Sequence, residues 1–160
     1  MRVDDLGTMP YRDAWAHQER AHADVLAGGN ERILLVEHPP VITFGRRPGV
    51  ERNLVATDAQ LQSLGVDVVS SDRGGDVTFH GPGQVVAYPI VRLIDHGLSV
   101  GSYVRVLEVA TIDALKELGV EHVGKDACAV GVWVKRPSDA MAAKIGAIGV
   151  RVRKGVTLHG

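Results

Sequence analysis

Cysteine is almost absent from this chain: Cys128 is the only one in 160 residues, so no disulfide can form within it. The simplest setting for such a chain is a reducing one, and a cytoplasmic location is expected. Aromatic residues are scarce, at 4%. Charge of one sign is also lacking, because 18 basic residues balance 19 acidic ones to a net charge of −1. That balance offers no electrostatic reason to expect nucleic acid or an anionic membrane as partner. The first residues, Met1 to Leu6, carry no apolar stretch of signal-peptide length. No apolar run approaches the roughly 20 residues of a membrane helix. The seven histidines show no metal-ligand spacing, so no metal site is expected.

What is present is an ordinary globular composition, 45% hydrophobic and 23% charged, with 19 glycines. The size fits one domain over residues 1–160. Tyr11, Ala14, Trp15, Ala21, His22, Val25 and Leu26 recur at helical spacing before Gly28-Gly29. Two short strands, 33–36 and 41–44, flank Pro39-Pro40. Thr57 and Gln60 form a capping-box pattern for a short helix ending at Gly65, followed by a strand over 66–69. Residues 72–84 read as a loop, and 85–91 as a strand. Ser102 is expected to cap a long helix with a stripe of Val104, Leu107, Thr111, Ala114, Leu115 and Leu118. Strand-like runs follow at 120–123, 129–134, 143–152 and 156–158. Groups of strands with few helices predict an α+β fold with a mixed β-sheet and flanking helices. The end, Val156-Thr157-Leu158-His159-Gly160, has no polar tail. It reads as a terminal edge strand or as a domain incomplete at its C-terminal end.

Three segments carry candidate chemistry. The densest is Arg73-Gly74-Gly75-Asp76-Val77-Thr78-Phe79-His80-Gly81-Pro82-Gly83-Gln84. Its glycines free the backbone to approach a ligand, and its side chains supply a guanidinium, a hydroxyl, an imidazole and an amide. A hairpin loop without a ligand explains the same residues. It matches neither a phosphate P-loop nor a dinucleotide fingerprint. The second is Lys144 in Lys144-Ile145-Gly146-Ala147-Ile148-Gly149. Were 143–152 one strand, Lys144 would share a face with Gly146, Ile148, Val150 and Val152, where burial would disfavour its ammonium and make it a proton carrier. Snorkelling to water is the alternative. The third is Glu37-His38-Pro39-Pro40 with Gly45-Arg46-Arg47, a site histidine or a surface corner. Cys128 reads as an apolar filler or a nucleophile.

Residues 73–89, RGGDVTFHGPGQVVAYP, resemble the signature of the LipB family, the lipoyl(octanoyl) transferases. EHPPVITFGRR (37–47) and KIGAIGVRV (144–152) are similar to its flanking motifs, and the final LHG to the start of its next one. The resemblance implies the catalytic-domain fold of lipoate and biotin protein ligases. It also implies a reaction in which octanoyl passes from acyl carrier protein to an enzyme cysteine and then to a lysine of a lipoyl domain. The partners implied are octanoyl-acyl carrier protein, the lipoyl domains of 2-oxoacid dehydrogenases and the glycine cleavage H protein. A monomer is expected. No cofactor of the enzyme's own is implied, since phosphopantetheine arrives on the carrier. By position, Lys144 matches the lysine of a Cys/Lys dyad. Arg73, Gly74, Gly75, Asp76, Val77, Thr78, Phe79 and His80 match a substrate loop. Ala147, Ile148 and Gly149 match a second substrate segment, and Gly160 the opening of a third. The family's nucleophilic cysteine lies downstream of the lysine motif, so Cys128 does not match it, and a chain ending at Gly160 is expected to lack activity. An ATP-dependent lipoate or biotin ligase and a non-catalytic acyl-binding remnant are the alternatives. The chain lacks the ligases' Gly-Arg-Gly and Ser-Gly-Gly-Gly adenylate loops.

Overall fold

The computed structural model describes residues 1–127, 129–138 and 140–160. They form two compact units, Met1–His96 with Gly149–Gly160, and Gly97–Ile148. Cys128 lies outside the described residues.

The first unit is built from two similar pieces. Strand β1 (Arg2–Thr8), helix α1 (Tyr11–Leu26) and strand β2 (Arg32–Glu37) form a parallel crossover, with Val3 opposite Ile33. Strand β3 (Val41–Phe44), helix α2 (Asp58–Ser63) and strand β4 (Asp67–Ser70) form another, with Thr43 opposite Val69. Each pair gains an antiparallel third strand. Strand β5 (Val77–His80) joins β3, with Thr78 opposite Thr43, and strand β6 (Val86–Ile90) joins β2. The strand orders are β1-β2-β6 and β4-β3-β5, so both sheets are mixed, as an α+β fold requires.

Helix α1 buries Tyr11, Ala14, Gln18, Ala21, His22 and Val25 on one stripe and ends where Gly28 takes φ +94°. The stripe packs on Leu34, Val36, Val86, Tyr88 and Ile90, and on Val156 and Leu158 from the far end of the chain. Tyr11 also reaches a second core with Val41 and Val69. Helix α2 carries the anticipated capping box, Thr57 with Gln60. Strand β1, with its charged residues and its half-exposed pattern, is absent from the sequence expectations. Pairing with β2 is its main tie, and Leu6 is the side chain it packs against the core.

In the second unit, helix α3 (Val100–Glu117) packs on strand β7 (Val123–Lys125) and strand β8 (Val132–Val134), and strand β9 (Ala143–Gly146) completes an antiparallel meander. The cap of α3 is Ser99, not Ser102. Ser99 Oγ accepts from the Ser102 N–H at 3.1 Å, and Ser102 Oγ accepts from the Ser99 N–H at 2.8 Å. Ser102 thus sits three residues inside, as the reciprocal partner. The buried stripe is Tyr103, Glu108 and Ile112, so Ala114 and Leu118 fall on the exposed side.

The expected strand over 143–152 is broken. Strand β9 ends at Gly146, and strand β10 (Val150–Arg153) belongs to the first unit, paired with strand β11 (Val156–His159). The backbone leaves one sheet and enters another between two glycines. Strand β11 is stitched to the end of β6 by Thr157, whose Oγ1 donates to Pro89 O at 2.6 Å and accepts from the Val91 N–H at 2.9 Å. No helix among the described residues is long and apolar enough to cross a membrane.

Because Ser99 Oγ is the acceptor for the Ser102 N–H in the first turn of α3, Ser99→Ala is expected to destabilise the protein by about 1 kcal/mol. Ser102→Ala should cost less, in paired urea titrations, since it leaves the Ser99 hydroxyl in place.

Candidate functional site

Arg73 follows β4 and turns inward until only 6% of the residue is exposed. Its Nη2 donates to Thr43 O and Asp76 O, each at 2.7 Å, its Nη1 to Gly74 O at 2.9 Å, and its Nε to Thr43 Oγ1 at 3.2 Å. Burial pushes the guanidinium below its ordinary value, while Tyr11, Tyr88 and Asp76 act the other way. None of the ion pairs among the described residues involves Arg73. Backbone carbonyl dipoles take the place of a carboxylate.

The glycines around it are there for backbone-to-backbone approach. A Cβ on Gly45 would lie 2.3 Å from Gly75 O, and one on Gly74 would lie 2.9 Å from Val150 O. On Gly149 it would lie 2.7 Å from Gly74 O and 3.1 Å from Arg73 Nη1. The Gly74 N–H donates to Val150 O at 2.9 Å, and the Gly149 N–H to Gly160 O at 2.6 Å. Gly75 has φ +94°, a region that favours glycine. The sequence suggested that the glycines of the 73–84 run free the backbone to approach a ligand. The N–H groups of Gly74 and Gly149 are spent on joining the 73–76 turn to β10 and the chain end.

From this turn β5 runs along β3. Asp76 precedes it, accepting from Asn53 Nδ2 at 2.7 Å and from the Val77 N–H at 2.7 Å. These bonds, Asn53 first, hold its carboxyl below the usual range. Val77 and Phe79 project to one side and Thr78 and His80 to the other. Phe79 is half-exposed. Residues 72–84 are thus not wholly loop.

His80 joins a cluster of rings that composition gave no reason to expect. Its imidazole stacks on Tyr11 with centroids 6.1 Å apart and lies 5.6 Å from His38. His38, wholly buried, uses Nδ1–H to donate to Met9 O at 2.7 Å and accepts at Nε2 from the Tyr88 hydroxyl at 2.7 Å. The carbonyl acceptor at Nδ1 fixes this tautomer. His159, at the end of β11 with φ +60°, meets Trp15 at 5.5 Å and Tyr88 at 6.4 Å. Its Nε2 lies 2.7 Å from Asp72 Oδ1 and its Nδ1 3.4 Å from the Tyr11 hydroxyl, giving a carboxylate–imidazole–phenol chain. Arg151 Nε lies 3.1 Å from the other Asp72 oxygen. Gln18 Oε1 accepts from the His159 N–H at 2.8 Å, and Gln18 Nε2, though buried, finds no partner among the described residues. Burial raises the Tyr11 and Tyr88 hydroxyls.

Burial is also the main reason that His38, His80 and His159 titrate below the ordinary imidazole value. His80 Nδ1–H donates to Gln84 Oε1 at 2.6 Å, which raises it somewhat, while His38 and Arg73 lower it. With Nδ1–H engaged, the Nε2 lone pair is the ring's acceptor for a proton or a hydrogen bond.

Of the sequence-singled residues, the first unit thus gathers Arg73 to His80, Gly149, Gly160, His38 and Tyr88. Tyr11, Trp15, Asp72 and His159 were missed as site residues. The available signals were the i, i+4 ring pair on α1 and the acid just before the Arg-Gly-Gly run. Lys144, Ala147 and Ile148 belong to the second unit. Lys144 is exposed, the second of the two readings its sequence allowed, because β9 ends before the apolar run it would have shared. Its Nζ donates to Val130 O at 2.9 Å and lies 4.8 Å from the Trp133 ring centroid. Ala147 is exposed and Ile148 half-buried.

Two substitutions and one titration test this geometry. Arg73→Lys, which cannot fan to the same carbonyls, is expected to cost about 2–3 kcal/mol in chemical denaturation. Gly149→Ala should cost about 1–3 kcal/mol by forcing the 73–76 turn away from β10. For the histidines, folded-state values below the unfolded one mean that the unfolded chain takes up protons first as pH falls. Their contribution is complete above about pH 6.5 and is lost progressively below it, toward the folded values. Tm is therefore expected to drop between roughly pH 7.5 and 5, and His38→Gln should flatten that slope. A Tm that holds or rises over this window contradicts neutral buried imidazoles.

The sequence profile of the lipoyl protein ligase A/B catalytic domain matches residues 10–160. An octanoyltransferase of Deinococcus radiodurans is 42% identical over 99% of this chain and 47% of its own length. One of Nocardia farcinica is 46% identical over 99% of this chain and 60% of its own length. One of Chloroflexus aggregans is 46% identical over 100% and 71%. The chain thus spans about half to about two thirds of these curated relatives. Among solved structures, a lipoate-protein ligase A bound with ATP superposes with a TM-score of 0.75 at 22% identity, over 99% of this chain and 64% of that one. That likeness bears on the fold alone.

Proposed function

Because the chain belongs to the lipoyl protein ligase A/B catalytic-domain family, we propose that it is the acyl-binding part of an octanoyltransferase. It would act between octanoyl-acyl carrier protein and apo lipoyl domains, those of the 2-oxoacid dehydrogenases and the glycine cleavage H protein. The observation that carries this reading is the Arg73–His80 segment: a turn fixed by a carbonyl-held guanidinium leads into a strand that presents a neutral imidazole within a cluster of buried rings. Such a surface suits an uncharged thioester and its alkyl chain better than a nucleotide phosphate. The identity of 40–46% to octanoyltransferases supports the same choice.

A thioester already carries the acyl-transfer potential, so the reaction needs no ATP. A cysteine thiolate attacks the thioester carbonyl, the carbon–sulfur bond to phosphopantetheine breaks, and the carrier thiol leaves with a proton given by the Lys144 ammonium. The acceptor lysine then attacks the acyl-cysteine, an amide forms and the thiolate returns. Lys144 is assigned to proton management, receiving the proton that the attacking amine sheds. His80, through Nε2, is assigned to the acyl group's surroundings, and Ala147, Ile148, Gly149 and Gly160 are assigned to substrate contact by their motif positions. Cys128 precedes Lys144, and residues 145–160 contain no cysteine. The nucleophile is therefore not assigned within these 160 residues, and the segment alone is expected to bind octanoyl-acyl carrier protein without transferring from it.

The decisive assay supplies octanoyl-acyl carrier protein and apo lipoyl domain to residues 1–160 and follows the lipoyl domain by mass spectrometry. Binding of the octanoyl carrier without octanoylation of the acceptor is the expected result. Transfer that Cys128→Ser abolishes would overturn the assignment of the nucleophile. Octanoylation from free octanoate that requires ATP would replace the transferase reading with a ligase.

A further inference from the structure

The contacts around Lys144 form a small cradle whose parts come from three elements of the second unit. The stem of Lys144 passes over Gly131: a Cβ there would stand 3.3 Å from Lys144 Cε and 3.5 Å from its Cδ, and 2.5 Å from Gly146 O. Gly131 also has φ +123°, so its conformation and its bareness are both needed. Just before it, Val130 O accepts from Lys144 Nζ at 2.9 Å and Ala129 O accepts from Trp133 Nε1 at 3.3 Å, which places the indole under the ammonium.

What holds this turn is a carboxylate from α3. Glu108 is only 7% exposed, in the middle of the helix's buried stripe between Tyr103 and Ile112. An apolar residue is the ordinary occupant of such a position, because a buried carboxylate is costly unless paired. Here one oxygen accepts from the Gly131 N–H at 3.1 Å and the other lies 3.2 Å from Lys125 Nζ on β7. The helix thus grips, through a single side chain, the peptide on which the lysine stem rests.

We propose that Glu108 and Gly131 are positioning residues for Lys144, Glu108 fixing the 129–131 turn and Gly131 leaving the space through which the lysine reaches the Val130 carbonyl and the Trp133 face. Its relevance to acyl transfer rests on the assignment of Lys144 given above. The Gly131 N–H needs an acceptor oxygen at this position of α3, which an amide also supplies, while the ion pair with Lys125 offsets the cost of burying the charge.

The test uses the full-length protein labelled with 13C-lysine. The Lys144 ε-methylene signal, identified by its loss in Lys144→Arg, is expected upfield of the other lysines because of the Trp133 ring current. Gly131→Ala and Glu108→Ala should return it to the position of a free lysine. Glu108→Gln, which keeps an acceptor for the Gly131 N–H, should preserve it. In transfer assays the first two should lower kcat about tenfold or more with KM for the octanoyl carrier little changed, the pattern for a group acting only in the transition state. If Gly131→Ala or Glu108→Ala melts cooperatively yet keeps the upfield signal, the positioning role is wrong, and a merely structural Glu108 would lower Tm and do no more. Should Glu108→Ala fail to fold, Gly131→Ala decides alone. An active Lys144→Arg enzyme would instead remove the catalytic assignment while leaving the cradle readable in the spectrum.

Discussion

The buried guanidinium of Arg73 is the point on which the first unit turns. Leaving water costs a cation several kcal/mol, and that cost is tolerated only where fixed dipoles replace the lost hydration. Here the dipoles are the carbonyls of Thr43, Gly74 and Asp76, so one side chain ties the central strand β3 to the turn that launches β5. The direction in which Thr78 and His80 face follows from that tie. So does the demand for glycine at 45, 74 and 149, where backbone lies against backbone. A carboxylate partner would have cancelled the charge. Carbonyl partners leave the positive field acting on Tyr11, Tyr88, His80 and His159, all of whose titrations it influences.

Much of this was legible in the sequence, for reasons that differ by element. Helix α1 announced itself through period and a closing glycine, and α2 through its capping box. Both are local signals. The α+β class followed from the order of strand and helix runs. The Arg-Gly-Gly run was singled out for the freedom of its glycines, and in the fold that freedom serves approach to the chain itself. Glycine at 74 admits a neighbouring strand's carbonyl, and a single sequence does not distinguish approach to a ligand from approach to the chain itself. The errors were non-local. Residues 143–152 have an unbroken apolar pattern, yet the chain changes sheets there, and no periodicity encodes a change of partner. Ser102 was mistaken for the cap because serines stand at both 99 and 102, and reciprocal bonding makes them look alike. Strand β1 was invisible because edge pairing, more than an apolar face, defines it.

The same limit hid most of the ring cluster. Tyr11, Trp15, His38, Tyr88 and His159 are spread over nearly the whole chain, and only folding brings them to one place. The scarcity of aromatic residues makes that convergence more informative, since several of the few available are gathered there. Burial holds the three imidazoles below their ordinary value, against the bonds to Met9 O, Gln84 Oε1 and Asp72, which act the other way. Lys144 illustrates the converse. Its environment is open, and its neighbours are a carbonyl and an indole face rather than an apolar wall.

The first unit is discontinuous: its last strands, β10 and β11, are separated from β1–β6 by the whole of the second unit. Val156 and Leu158 complete the core against α1, and Thr157 closes the end of β6. During synthesis, therefore, α1 and its sheet must wait, with apolar surface unsheathed, until the intervening fifty-odd residues have emerged from the ribosome. Loop closure over so long a separation slows the folding step that docks β10 and β11. The ring cluster, capped by His159, thus assembles only as that distant hairpin docks.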